Sequence, residues 1–136
     1  MTILVCITVS AAHFFTDAAA QEKPAAQTAA AAVKLANLLR TELQLAEGVE
    51  VIVSMVEIPP NSQLPRHYHP GEEFVYILEG SGTLWQKDKA DTPLQQGDIF
   101  KIPLKQVHTA KTGADSVKAL VFRIHKKGEP ERIPSN

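Results

Sequence analysis

From Val49 onward the chain is a succession of short apolar runs, each closed by glycine, proline, asparagine or aspartate. The first run, residues 49–58, is dense in valine and isoleucine and predicts a strand that ends in the turn Pro59-Pro60-Asn61. Further strands are predicted over 74–78, 83–86, 99–102, 107–111 and 117–125. The turn residues between them fall at 79–82, 87–91, 95–98 and 112–115. Strands this short and this closely spaced predict an all-β sandwich or barrel. Upstream the pattern changes. Val33, Leu35, Leu38, Leu39, Leu43 and Leu45 stand partly at helical spacing, which predicts a helix over 33–43, with an extended arm as the competing reading.

The ends have a character of their own. Ile3 opens an apolar run, and Ala18-Ala19-Ala20 supplies the small residues that precede a leader-cleavage point. Residues 1–20 are therefore expected to be a signal peptide, Gln21 the new N-terminus, and the mature protein periplasmic or secreted. No lysine or arginine precedes Lys23, so a misassigned start and a cytoplasmic protein remain the other reading. Residues 21–47 read as an alanine-rich linker or N-terminal arm, 48–127 as the barrel, and 128–136, with two prolines, as a C-terminal tail.

Composition narrows the function. The formal net charge of -1 over 136 residues gives no basic surface for nucleic acid, and the mature chain offers no stretch for a membrane. The single cysteine, Cys6, lies in the expected leader. A mature chain without it excludes disulfides, zinc–thiolate sites and a cysteine nucleophile. The chemistry must then come from nitrogen and oxygen. His67 and His69 are one residue apart, so on a strand they share a face. Glu73 follows a turn at Pro70-Gly71. Pro103 ends the 99–102 strand, and His108 opens the next, within reach of the first cluster if the two hairpins face each other across one barrel. His13 is lost with the leader, and His125, followed by two lysines, is expected to be exposed.

These two clusters resemble the paired motifs of the cupin superfamily, and the chain is similar to its small single-domain bacterial members. His67, His69, Glu73 and Gly80 match the first motif in identity and spacing, with Asn61 at the leading glycine position. Gly97, Pro103 and His108 match the second, with Lys105 in place of its second glycine and Thr112 in place of its asparagine. Asn61 tolerates left-handed backbone angles, which keeps the first turn, whereas Lys105 puts the turn before His108 in question. The resemblance implies a double-stranded β-helix, or jelly-roll barrel. It also implies one divalent transition metal held by His67, His69, Glu73 and His108. Three imidazoles and a carboxylate suit Fe, Mn, Ni, Zn, Co or Cu without distinguishing them.

Strand parity then nominates a cavity lining. If Glu73 points inward, so do Val75 and Ile77; Phe100 and Ile102 share a face, Ala110 goes with His108, and Met55 and Phe122 complete the set. The lining is largely apolar, with no further acid or base. Some cupin lyases carry a tyrosine two residues after the ligand glutamate, where this chain has Val75. The reading is a metal-dependent dioxygenase, resembling the quercetinase-like cupins, acting on a small aromatic or enolic molecule. A non-catalytic small-molecule or metal-binding sensor and an isomerase of a small carbonyl compound stay open beside it. A homodimer is expected through sheet packing or exchange of the N-terminal arm.

Overall fold

The computed structural model describes residues 31–136. The expected leader, with Cys6, His13 and Gln21, lies outside the described residues. Among the described residues nine strands are formed: β1 (Lys34–Glu42), β2 (Val49–Ile58), β3 (His67–Tyr68), β4 (Glu72–Gln86), β5 (Thr92–Gln95), β6 (Ile99–Ile102), β7 (His108–Lys111), β8 (Val117–Lys126) and β9 (Ile133–Pro134). Among the described residues there is no helix, and none long and apolar enough to cross a membrane.

All pairings are antiparallel, and the sheet curls in the order β1-β2-β8-β4-β7-β3-β9 with β5 and β6 also on β4. The 15-residue β4 joins the two faces. Its first half pairs with β8 and β6, its second with β5 and β7. The predicted turn at 79–82 is instead the middle of this strand. A bulge between Ile77 and Glu79 bends it and shifts its parity, so that Glu73, Val75 and Ile77 are followed on the inside by Leu84 and Gln86. Gly80 makes the bend feasible. Its φ is +83°, and a Cβ there would lie 1.7 Å from the Ser116 carbonyl oxygen.

Two expectations at the ends are corrected. Residues 34–42 do not form a helix but β1, paired with the edge of β2 from Lys34↔Glu57 to Glu42↔Glu50. Its leucines recur too irregularly to build one buried stripe, and every β1 residue is exposed. The unpaired backbone groups of β2 and polar anchors on β1 decide the outcome. Ser54 Oγ donates to Asn37 Oδ1 at 2.6 Å, and Arg40 meets Glu50 at 2.6 Å. The 128–136 segment, expected as a tail, contributes β9, which pairs with β3 from His67↔Pro134 to Tyr68↔Ile133.

The interior is layered along the strands. Val56, Ile58, Val75, Ile77, Val117 and Val121 form an apolar floor with Leu84, Leu94 and Ile102. At the other end the inward positions turn polar: Glu50 and Ser54 on β2, Arg123 and His125 on β8, Glu73 on β4. The outside of the same sheet is apolar as well, with Met55, Leu120, Tyr76 and Ile99 side by side across four strands.

Candidate metal centre

Two of the three histidines come from neighbouring strands. His67 on β3 pairs directly with His108 on β7, and His69 continues beyond β3 toward the Pro70-Gly71 turn. The turns that aim them keep their shape despite the substituted residues. Asn61 has φ 52° and Lys105 has φ 58°, so both take the left-handed conformation that glycine would provide. The Lys105 N–H donates to the His69 carbonyl at 3.1 Å, tying the two clusters together. Thr112 likewise anchors the loop ahead of β3. Its hydroxyl donates to the Pro59 carbonyl at 2.5 Å and accepts the Ser62 N–H at 2.9 Å.

His67, His69 and His108 are all buried, and their donor atoms lie within 4.8 Å of one another. Each ring is held by a carbonyl oxygen at Nδ1: Pro65 at 2.7 Å for His67, Glu131 at 2.5 Å for His69, Gln106 at 2.9 Å for His108. A carbonyl only accepts, so each Nδ1 carries a proton and Nε2 is the nitrogen left to face the cluster. Burial pulls His67 down to about 4, which keeps it neutral. Glu73 Oε2 lies 2.9 Å from His69 Nε2, and Oε1 lies 3.6 Å from His108 Nε2. Burial by itself would push the Glu73 carboxyl up. Interaction with His108 and His69, in the form that also carries a proton at Nε2, more than offsets that and holds it below the usual carboxylate range.

The fit to a cation follows from these contacts. His69 Nε2 is buried and, for all its closeness to Glu73, has no hydrogen bond. Lone pairs of buried imidazoles facing an ionised carboxylate repel unless positive charge stands among them. Three buried histidines could therefore hold a metal ion, and Glu73 lies against two of them. The neighbouring Glu72 points away from the cluster and pairs with Lys101.

The cavity in front of this cluster is lined by His69, Glu73 and His108 and by the expected Val75, Ile77, Phe100, Ile102 and Ala110. Met55 and Phe122 are not part of it. Their strands place Ser54, Val56, Val121 and Arg123 inside, so Met55 faces outward and Phe122 is 39% exposed. Both faces of β2 and β8 carry apolar residues, and apolar content alone cannot assign the inner one. His125 is likewise corrected: it is buried, with Nε2 at 3.7 Å from Glu50. Its parity with Val117, Ala119 and Val121 was the available signal. Arg132 and Arg123 also line the cavity and were not anticipated. Arg123 shares that β8 parity and stands opposite Glu73, whereas nothing in the sequence near Arg132 marks it. Trp85 turns outward, where Arg66 stacks on its ring at 4.4 Å.

Residues 54–123, half of the chain, match the Cupin domain family. The chain belongs to that family. Among its relatives, a 3-hydroxyanthranilate 3,4-dioxygenase of Mycosarcoma maydis is 33% identical over 78 residues, covering 54% of this chain and 43% of the dioxygenase. The cupin thus spans less than half the length of that relative. Among solved structures, the DMSP lyase DddQ of Ruegeria pomeroyi DSS-3 superposes with a TM-score of 0.58 at 25% identity, covering 62% of this cupin and 43% of the lyase. An uncharacterized conserved protein from Klebsiella pneumoniae with a double-stranded beta-helix domain gives 0.62 at 20% identity, over 76% and 84% of the two chains, and shares the fold.

Proposed function

We propose that this cupin binds one divalent transition-metal ion through His67, His69, Glu73 and His108, and works as a dioxygenase on a small aromatic or enolic compound. The observation that carries the reading is the convergence of three buried, backbone-oriented imidazoles, two of them against Glu73. A bound ion would act as a Lewis acid that brings substrate and dioxygen together. The chain's own part is to orient and to exclude water. The carbonyls of Pro65, Glu131 and Gln106 hold the three rings, and Glu73 offsets part of the ion's charge. Val75, Ile77 and Phe100 present a dry wall to an apolar substrate. The likeness to 3-hydroxyanthranilate dioxygenases supports the oxidative reading. Val75 counts against a lyase that relies on a phenol at that position.

A second reading, a binding or sensing module without catalysis, is favoured by one feature: beyond Glu73 the inward positions Val75, Ile77 and Leu84 of β4 are apolar, with no further group to move a proton. Anaerobic reconstitution with Fe(II), Mn(II), Co(II), Ni(II), Cu(II) or Zn(II), followed by oxygen-uptake assays over catechols, aminophenols, flavonols and diketones, separates the two. Uptake with at least one metal is expected, and stoichiometric metal with no uptake in any combination would sink the dioxygenase. The expected pairing of two copies would use the outer row of Met55, Leu120, Tyr76 and Ile99. Leu120→Glu should then sediment as a monomer where the parent chain sediments as a dimer.

A further inference from the structure

We propose that Arg132 is an anion-recognition residue of the cavity, and that the molecule bound there is a small organic acid with an apolar body. The inference deepens the metal-centre reading and rests on it for part of its charge balance. Arg132 lines the cavity alongside His69, Glu73 and His108. The neighbouring arginines are committed. Arg123 donates to Ser54 at 2.5 Å and to Glu131 at 3.1 Å, and Arg40 is shared between Glu50 and Glu131. Arg132 interacts with the acids around it, Glu73 and Glu131, only through space, with no hydrogen bond to either among the described residues. Burial, then the adjacent Arg123, pulls it below the usual guanidinium range, so the cation is short of a partner where it stands.

Its position is fixed from both sides. The Glu131 carbonyl is held by His69 Nδ1, and the Glu131 carboxylate is held by Arg123, Arg40 and Asn37. On the other side Ile133 pairs with Tyr68. A backbone anchored on both sides of Arg132 confines where its guanidinium can reach before any guest arrives, which lowers the cost of binding. Charge then selects the guest. Arg123 and Glu131 cancel each other, and a divalent ion would outweigh Glu73, leaving Arg132 as surplus positive charge. A neutral guest leaves that surplus uncompensated. A carboxylate can take both N–H groups of the guanidinium fork, while the apolar floor at Val75, Ile77 and Leu84 receives the remainder of the molecule.

The test is calorimetric binding of benzoate and acetate against the neutral benzamide and acetamide, using the metal-loaded full chain and its Arg132→Gln and Arg132→Lys variants. The parent chain should prefer each acid to its amide, and Arg132→Gln should bind the acids roughly 10- to 100-fold more weakly with amide binding unchanged. Arg132→Lys, which keeps the charge without the fork, should recover part of the loss and also shows that the site tolerates substitution. Acid binding by Arg132→Gln equal to that of the parent, or no preference for acids in the parent, overturns the proposal. Metal per chain is measured on the same samples. A parent chain that takes up no metal but still prefers acids through Arg132 removes the metal-centre reading and leaves this one standing.

Discussion

His69 donates its Nδ1 hydrogen to the backbone carbonyl of Glu131 at 2.5 Å, although the two residues are 62 positions apart. The bond fixes which nitrogen of His69 faces the other imidazoles, and it depends on the C-terminal segment lying along β3. Glu131 is in turn gripped by Arg123 of β8 and by Arg40 and Asn37 of β1. The ring orientation of one candidate ligand is thus set by both ends of the described chain.

A chain shortened to end at Lys127 should therefore keep most of its sheet and lose metal affinity. Removing a group that orients a ligand histidine typically lowers affinity about 10- to 100-fold. Competitive titration with Co(II) against a chromophoric chelator measures this. Unchanged affinity, with unchanged circular dichroism, would show that Glu131 does not position His69.

The ligand set predicts a sharp contrast among the histidines. His67→Ala and His108→Ala should each lower bound metal per chain well below the parent, because each removes one of the converging Nε2 atoms. His125→Leu should leave metal content unchanged, since His125 adjoins Glu50 rather than the cluster. Elemental analysis of the purified variants is the readout, and an unchanged metal content in His67→Ala would refute the assignment.

The metal-free chain should lose stability on mild acidification. His67 has its ordinary value of 6.5 in the unfolded chain and about 4 when folded, the depression arising from burial. Above pH 6.5 neither state binds this proton, and the full stability is present. Between 6.5 and 4 the unfolded chain takes up a proton that the folded chain refuses, so stability falls as pH is lowered. The total loss is about 3 kcal/mol, and it does not grow further below the folded value. Urea midpoints across this range should show the fall in the parent chain and a smaller one in His67→Gln; equal slopes would exclude His67 as the source.

Two glycines at positive φ should respond differently to alanine. At Gly97, with φ +91° and open space around the added Cβ, only the left-handed backbone is unfavourable, by about 1–2 kcal/mol. At Gly80 the same unfavourable backbone is joined by the Ser116 carbonyl, which a Cβ would meet at 1.7 Å. Gly80→Ala should lower the melting temperature much more than Gly97→Ala, or prevent folding. Comparable melting temperatures would mean that the bend in β4 can relax.

Much of this was legible in the chain itself. The strand positions follow from runs of β-branched residues and from glycine and proline, because those preferences act within a few residues. His67, His69, Glu73 and His108 stood out because their spacing along strands and turns governs which side chains share a face. Val75, Ile77, Phe100, Ile102 and Ala110 followed from the same alternation, and the structure places each on the cavity wall. Local pattern did not decide what depends on partners distant in sequence. The 34–42 segment became a strand because β2 offered an open edge. Met55 and Phe122 could not be assigned because both faces of β2 and β8 carry apolar residues, and only the curl of the sheet defines an inside. Arg132 reached the cavity because residues 128–136 fold back onto β3. The sequence by itself pointed to an all-β domain, since strand periodicity is short-range, and its resemblance to the cupin motifs implied the jelly roll and the set of imidazoles. The tertiary structure alone decided which charged groups stand beside them, since burial and pairing across tens of residues have no local signature.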